Sequence, residues 1–349
     1  MKLASLRRLL PPAILLLASA SRLPAVDTVA SVPEGFINFT IPAGSQATPS
    51  VATFSIPLSA AIPANFAGRA AGTISSVTAT TLTNTAAGWT AGALSQAASP
   101  YFLRIKGGAA AGRTLLISTA AGQQNTATTV TVDNQGTPLT GLGIVAGDTY
   151  EIFPADTLFS LFGSDVLGGS STANADVVRL LGASGWQEYY YDTTAAQWRI
   201  NSVATSQNNV VIRPDTGVIF YRRGSAPLAL SVSGRVPATD LRIVLNEAGT
   251  SFITGFPVDT PLAQAGYDSM PGWVSNNGSI PDADKVIIFD GAFWNSYNYN
   301  QSAAQWRNGS VPVNQGAAIK ILAGNPVIIE SPTGAAGVKV WTCPLPYSL

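Results

Sequence analysis

Short runs in which apolar and polar residues alternate recur along most of the chain, and glycine or proline residues separate them. In one such run, Ile37, Phe39 and Ile41 fall on one face of an extended strand, and the polar residues between them fall on the other. The runs are rich in threonine, serine, valine, isoleucine and aromatic residues. This pattern predicts an all-β protein built as a sandwich or a barrel. The best candidate for a helix is the segment 156–162, with Asp156 as its N-terminal cap.

The N-terminal part of the chain differs in pattern from the rest. Several short strands with glycine-rich turns are predicted between residues 66 and 153. They include a hairpin whose strands, 101–106 and 113–118, flank the turn 107–112. Short strands of this kind are typical of a small barrel. The sequence therefore predicts a β-barrel-like domain over residues 27–152.

The second half of the chain contains an internal duplication. The pentapeptide Ala-Ala-Gln-Trp-Arg at residues 195–199 recurs unchanged at residues 303–307. The other agreements are Phe153 with Phe256, Asp156 with Asp259, Ala175 with Ala283, Asp176 with Asp284, Trp186 with Trp294, Tyr189 with Tyr297, Tyr191 with Tyr299, Gly217 with Gly316 and Pro227 with Pro326. They predict two tandem antiparallel β modules, copy 1 over residues 153–255 and copy 2 over residues 256–349.

A weaker similarity links residues 54–58 to residues 252–257. It suggests a second arrangement, in which the barrel-like domain is inserted into a third, degenerate copy of the module. The sequence is compatible with both arrangements, a separate barrel-like domain and an inserted one.

The N-terminus has the three parts of a secretory signal peptide. Basic residues are followed by an apolar run over residues 9–18, and residues 18–20, Ala-Ser-Ala, have the form of a cleavage site. The apolar run is about ten residues long, whereas a membrane-spanning helix needs about 20. We therefore predict a signal peptide over residues 1–20, with a membrane anchor as the alternative. The mature protein, without a membrane span, is expected in the periplasm, at the cell surface or outside the cell.

Several motifs are spread over most of residues 27–340. They are Gly35-Phe36-Ile37, the hairpin segments 101–105 and 112–113, the segment 147–152, Asp156-Thr157-Leu158, and the Ala-Asp, Tyr-Tyr-Asp and Gln-Trp-Arg elements of the duplicated half. With these motifs the chain resembles an uncharacterised family of exported, β-rich proteins from bacteria of the verrucomicrobial type. The resemblance implies export and a shared architecture. It implies no activity, cofactor or site residue.

Composition excludes several classes of function. The chain carries 19 basic and 19 acidic residues and no histidine. Without a concentration of lysine and arginine, binding to nucleic acid is not expected. The absence of histidine removes Ser-His-Asp and Cys-His catalysis, and a single cysteine, Cys343, excludes an internal disulfide. We expect neither an enzyme nor a cofactor or metal site.

Two weaker chemical motifs have simpler explanations. Residues 107–114 resemble a phosphate-binding loop with arginine in place of lysine, but a strand and not a helix is predicted to follow them. Glu188 and Asp192 lie four residues apart on one predicted strand, which separates them by about 13 Å. Carboxylate pairs that hydrolyse glycosides are about 5–9.5 Å apart, so this pair does not fit that role.

The repeated aromatic residues are the strongest candidates for a ligand site. They are Trp186, Tyr189 and Tyr191 in copy 1 and Trp294, Tyr297 and Tyr299 in copy 2. Exposed rings would stack on the C–H faces of sugars, whereas buried rings would stabilise the sheet by cross-strand packing. Trp198 and Trp306, in the repeated pentapeptide, are predicted to be core residues because both copies must fill the same space.

These features favour an exported, non-enzymatic protein with a structural or cell-surface-associated role. The alternative is a polysaccharide-binding or adhesin-like module that uses the paired aromatic residues. Its partners would be polysaccharides or other components of the envelope. Exposure of the repeated tryptophans distinguishes the two functions.

We expect the mature N-terminus to lie between Ser21 and Asp27, because signal peptidase cleaves after a small-x-small motif. N-terminal sequencing or mass spectrometry of the native protein measures it. Leu15→Arg places a charge in the apolar run and should leave the uncleaved precursor in the cell. An intact Met1 on the native protein would contradict export.

Overall fold

The computed structural model describes residues 33–134, 136–182, 184–201, 203–246, 249–276, 281–332 and 339–347, all within a compact unit that spans Pro33–Leu349. The predicted signal peptide lies outside the described residues. Strands account for 40% of the structure and helix for 4%, and the sheets are antiparallel. The all-β class predicted from the alternating pattern is confirmed.

Helical structure is confined to the helix α1 (Leu158–Phe162) and two 3-10 turns, Ala93–Ser95 and Leu262–Gln264, in the part of the chain described. The strands that precede α1 are β1 (Glu34–Ile41), β2 (Ser50–Ser55), β3 (Ala71–Thr73), β4 (Ser76–Val77), β5 (Thr81–Thr83), β6 (Tyr101–Ile105), β7 (Thr114–Leu116), β8 (Thr129–Thr131), β9 (Thr149–Pro154) and β10 (Asp156–Thr157). The next strands are β11 (Val177–Gly182), β12 (Gly185–Asp192), β13 (Gln197–Arg199), β14 (Val211–Ile212), β15 (Gly217–Arg222) and β16 (Leu228–Arg235). The last are β17 (Leu241–Leu245), β18 (Gly249–Ile253), β19 (Thr260–Pro261), β20 (Lys285–Phe289), β21 (Trp294–Asn300), β22 (Gln305–Asn308), β23 (Lys320–Ile321), β24 (Val327–Ser331) and β25 (Lys339–Cys343).

The two largest sheets have five strands each. The first sheet has the order β13-β12-β11-β15-β2, and the second sheet has the order β22-β21-β20-β24-β18. In each sheet an aromatic strand, β12 or β21, lies next to the Gln-Trp-Arg strand. Its tyrosine faces a valine on the neighbouring strand, Tyr189 opposite Val178 and Tyr297 opposite Val286.

Further strands pair in two-stranded ladders outside the two five-stranded sheets. A long ladder joins β1 to β16 and another joins β17 to β25. Short ladders join β10 to β14 and β19 to β23. The strands β1 and β2 belong to the range predicted for the N-terminal domain, yet β1 pairs with β16 and β2 with β15. The predicted boundary after residue 152 therefore separates strands that pair with one another.

After the pentapeptide, the strand positions in the two halves do not agree with the sequence alignment of Gly217 with Gly316. β15 begins at Gly217, and β24, which has the same place in the second sheet, begins at Val327. Gly316, which the sequence aligned with Gly217, lies instead in the loop before β23. Glycine and proline recur in most loops, so their agreement at a few positions is a weak guide to register.

Residues 71–154 form two open sheets and, among the residues that the structure describes, no closed barrel. One sheet has the order β3-β9-β6-β7 and the other β4-β5-β8. The chain passes between them after Thr73, and a single bridge from Ile117 to Val132 joins β7 and β8 at their ends. Both sheets contribute to one apolar core. The barrel-like domain predicted over residues 27–152 is corrected accordingly, because ladders this short do not supply continuous pairing around a barrel.

Each five-stranded sheet covers its own apolar core. Phe54 and Trp198 belong to the first core, and Phe256 and Trp306 belong to the second. Trp198 is 0% exposed and Trp306 is 2% exposed. The prediction that both tryptophans are core residues is confirmed.

The helix α1 begins one position later than predicted. Thr157 is its N-cap, and its Oγ1 accepts a hydrogen bond from the N–H of Ser160 at 3.1 Å. The Oγ of Ser160 in turn accepts one from the N–H of Thr157 at 2.8 Å, which completes a capping box. Asp156, the predicted cap, lies in β10 opposite Ile212. Leu158 and Phe162 are buried, as the predicted apolar face requires.

We expect Trp198→Ala and Trp306→Ala each to lower the free energy of unfolding by about 3–5 kcal/mol, because each removes a large buried side chain. Chemical denaturation measures the loss. Phe293→Ala is the control: its ring is 72% exposed, and the change should stay within about 0.5 kcal/mol. Losses below about 1 kcal/mol in both tryptophan variants would contradict a core role.

Candidate functional site

The aromatic residues predicted as a ligand site do not form one surface. Tyr189 and Tyr297 are buried in the two cores, opposite Val178 and Val286. Burial raises the pKa of both phenol groups above the ordinary value. These two rings stabilise the sheets and have little surface to offer a ligand.

Tyr191 and Tyr299 pack against the buried tryptophans. The ring of Tyr191 meets that of Trp198 edge-on, with 6.1 Å between centroids, and the rings of Tyr299 and Trp306 are 5.5 Å apart in the same way. The strand register explains the contacts, since Tyr191 lies opposite Trp198 and Tyr299 opposite Trp306. Both tyrosines are half-buried.

A tight turn precedes each buried tryptophan and accounts for the repeated pentapeptide. Ala196 and Ala304 have φ angles of 50° and 51°, in the left-handed region that non-glycine residues seldom adopt. Asp192 caps the first turn by accepting a hydrogen bond from the N–H of Ala195 at 3.0 Å. Asn300 caps the second by accepting one from the N–H three residues later, at 2.9 Å. Both turns therefore place the following tryptophan in the same way.

The carboxylates of Glu188 and Asp192 are held by two separate arginines. Glu188 lies 3.5 Å from Arg179, and Asp192 lies 2.9 Å from Arg199. Backbone hydrogen bonds, first that from Ala195, hold the pKa of Asp192 below its ordinary value. Because a carboxyl with a lowered pKa is a poor general acid, the surroundings of Asp192 fit a structural role.

Trp186 and Trp294 both contact Phe252 where the two sheets meet. The ring centroid of Phe252 is 5.5 Å from that of Trp186 and 6.4 Å from that of Trp294. The guanidinium of Arg179 lies 5.2 Å from the ring of Trp186, a cation–π contact. Trp186 is half-buried, whereas Trp294 is 39% exposed. Trp294 is therefore the predicted site residue with most surface open to solvent.

A groove opens beside Trp294, and we call it the Trp294 groove. Two adjoining cavities of about 320 and 300 Å³ form it, and Val51, Phe289 and Gly291 line both of them. Polar residues also line it, among them Asn38, Thr40, Thr53, Tyr221 and Asn325. Apolar walls with a few polar groups are typical of small-molecule sites.

Hydrogen bonds fix the walls of the Trp294 groove. Thr53 Oγ1 donates to Asn325 Oδ1 at 2.9 Å, and Asn325 Nδ2 donates to the carbonyl oxygen of Phe289 at 3.1 Å. The walls thus join strands that are far apart in the sequence. The groove could not be predicted from the sequence, because no local pattern indicates which distant strands will face one another.

Asp176 and Asp284, which the sequence alignment pairs, are both fully buried. Asp176 pairs with Arg222 and accepts a backbone hydrogen bond at 2.8 Å. Asp284 lies 2.5 Å from Lys339 Nζ and accepts a backbone hydrogen bond at 2.6 Å. The sequence feature that could have identified these buried aspartates is an acidic residue directly before an apolar strand in both halves.

The glycine-rich segment 107–114 is the turn of the β6–β7 hairpin, as its strand-like continuation predicted. Gly112 has a φ of 90°, and a Cβ there would lie 2.2 Å from the carbonyl oxygen of Asp240. Close packing and a left-handed backbone therefore account for this glycine. No phosphate-binding role is needed to explain it.

Cys343 is buried, and this burial raises the pKa of its thiol above the ordinary range. Reactive cysteines have a lowered pKa and an accessible sulfur, so its surroundings do not activate it. Among the described residues, no three His, Cys, Asp or Glu side chains lie together in a way that would hold a metal ion. No helix in the same residues is long and apolar enough to cross a membrane.

The comparisons with known proteins found no relative of the chain. It matches no protein-family model, no curated protein and no solved structure. The resemblance to exported proteins of verrucomicrobial-type bacteria therefore stays a prediction that rests on sequence motifs.

Proposed function

We propose that the protein is an exported, non-enzymatic β protein with a structural role at the cell surface or in the envelope. The observation that carries this proposal is that most of the repeated aromatic residues build the sheets. Trp198 and Trp306 are fully buried, and Tyr189 and Tyr297 lie in the same two cores. Duplicated modules keep such residues because the same core space must be filled in both.

Export rests on residues 1–20, which combine a basic start, an apolar run and a cleavage motif. A protein outside the cytoplasm is exposed to envelope polymers, which are therefore its expected partners. Polysaccharide is the partner class that the half-exposed aromatic rings favour, because sugar C–H groups stack on such rings.

We infer further that one β unit is duplicated and that the N-terminal pair of small sheets is inserted into its first copy. In this arrangement β1, β2 and β10–β16 form one copy and β17–β25 form the other. Matching sheet orders support it, as do the ladders β1–β16 and β17–β25. Only residues 254–259 separate β18 from β19, whereas residues 56–155 separate β2 from β10. The insertion would lie in that longer segment.

Fractionation of the native host cells tests the proposed function. We expect the mature protein in the envelope fraction, because a secreted scaffold is retained by its contacts with envelope polymers. A cytosolic enzyme and a freely secreted protein serve as markers of the other two fractions. Recovery of the uncleaved chain in the cytoplasm would contradict export. Recovery only as a free protein in the medium would contradict an envelope role.

A second function, polysaccharide binding, is favoured by one specific feature, the exposed ring of Trp294 beside the Trp294 groove. The aromatic face would stack on a sugar ring. The amide groups of Asn38 and Asn325, which line the adjoining cavity, would bond to sugar hydroxyls.

We expect Trp294→Ala to weaken retention on an insoluble polysaccharide by about 1 kcal/mol, roughly fivefold, because it removes the stacking face. Affinity electrophoresis through gels that contain single polysaccharides measures the change. Phe293→Ala is the matched control, since it removes a more exposed neighbouring ring that does not line the groove. Equal retention of wild type and both variants would contradict binding at Trp294 and would leave the structural role intact.

A further inference from the structure

Asp176 and Asp284, which are both 0% exposed, are neutralised by chemically different cations. Asp176 pairs with the guanidinium of Arg222, at the end of β15. Asp284 pairs with the amine of Lys339, which begins β25. A guanidinium keeps its charge in proteins, whereas a lysine amine becomes a nucleophile once it loses a proton. Only the second pair therefore combines a carboxyl carbon with a possible nucleophile.

Lys339 and Asp284 are in close contact and fully shielded from water. Lys339 Nζ lies 2.5 Å from Oδ1 and 2.7 Å from Oδ2 of Asp284, and both side chains are 0% exposed. A nitrogen this close to both oxygens lies within about 3 Å of the Cγ between them, which is the separation of reacting atoms in a near-attack geometry.

Two further groups contact the reacting atoms. The N–H of Val274 donates a hydrogen bond to Asp284 Oδ2 at 2.6 Å. Such a donor stabilises the negative oxygen that forms when a nucleophile adds to a carboxyl carbon. Ser331 Oγ accepts a hydrogen bond from Lys339 Nζ at 3.1 Å and so orients the amine.

We propose that Lys339 and Asp284 are joined by an intramolecular amide bond that the folded chain forms by itself. One proton passes from Nζ to a carboxyl oxygen, which leaves a neutral amine facing a neutral carboxylic acid. The Nζ electron pair attacks Cγ, the N–C bond forms, one C–O bond breaks, and that oxygen leaves as water with two protons. No oxidant, reductant or other reactant is needed.

Burial favours this reaction over a lasting ion pair. Two charges in a site without water carry a large desolvation penalty, which a neutral amide removes. Hydrolysis would require water to return to a fully buried position. The pair of Asp176 and Arg222 stays ionic and serves as an internal comparison within the same chain.

The amide would fasten the last strand to the second sheet. Lys339 and Asp284 are 55 residues apart in the sequence, and Lys339 lies on β25, which otherwise pairs with β17. In a chain with one cysteine, this bond would supply the covalent closure that disulfides supply in other exported proteins. The inference does not depend on the proposed envelope role.

Mass spectrometry of the purified full chain, unfolded in denaturant, tests the proposal. We expect a population that is lighter than the sequence mass by one water molecule. After tryptic digestion, a branched peptide should join the segment containing Lys339 to the segment containing Asp284, and trypsin should fail to cleave after Lys339. A full sequence mass in every molecule, or a loss of water that maps to other residues, would overturn the proposal.

Variants identify the two residues that react. Lys339→Arg keeps the buried cation but removes the nucleophile, and it should restore the full mass. Lys285→Arg is the matched control, since Lys285 forms a partly exposed pair with Glu330 at 3.5 Å, and it should leave the mass deficit unchanged. A deficit that survives in Lys339→Arg would overturn the assignment. If Lys339→Arg fails to fold, the branched peptide of the wild-type chain decides alone.

Discussion

Each five-stranded sheet depends on the burial of one tryptophan behind a tight turn. The ring of Trp198 packs 5.6 Å from that of Phe162, and its Nε1 donates a hydrogen bond to the carbonyl oxygen of Gly163 at 3.0 Å. This contact fixes the helix α1 against the first sheet. In the second sheet the ring of Trp273 packs against that of Trp306, with 5.7 Å between their centroids. The left-handed alanines and the edge-on tyrosines follow from the need to place these two rings.

The burial of a charged aspartate is the second constraint on the fold. In each half, the cation that neutralises it lies on a different strand. Arg222 at the end of the first sheet neutralises Asp176, whereas Lys339 of the last strand neutralises Asp284. What the halves share is a buried carboxylate held by a loop N–H, not the residue that pairs with it. Because a single unpaired charge in such a position is strongly destabilising, each loop and strand at these sites is fixed relative to the other.

Local pattern predicted what is local in the fold. The alternation at residues 37–41 predicted β1, and the repeated pentapeptide predicted two buried tryptophans. The partner of β1, the lysine beside Asp284 and the walls of the Trp294 groove could not be predicted in this way. Each joins segments far apart in the sequence, and a period of two residues carries no information about which distant strands will pair. The barrel prediction was wrong for the same reason. Short strands joined by glycine turns occur in open sheets as well as in barrels, and the local pattern does not distinguish the two.

The contact between the two sheets links the fold to the one open aromatic surface. A Cβ at Gly217 would lie 2.4 Å from the ring of Phe252, so glycine is what lets this ring enter the contact. Phe252 contacts the rings of both Trp186 and Trp294, and Trp294 stays partly exposed to solvent. The Trp294 groove is therefore a consequence of how the sheets meet. A ligand bound there would contact strands of both sheets, and its binding would therefore stabilise the arrangement of the two sheets.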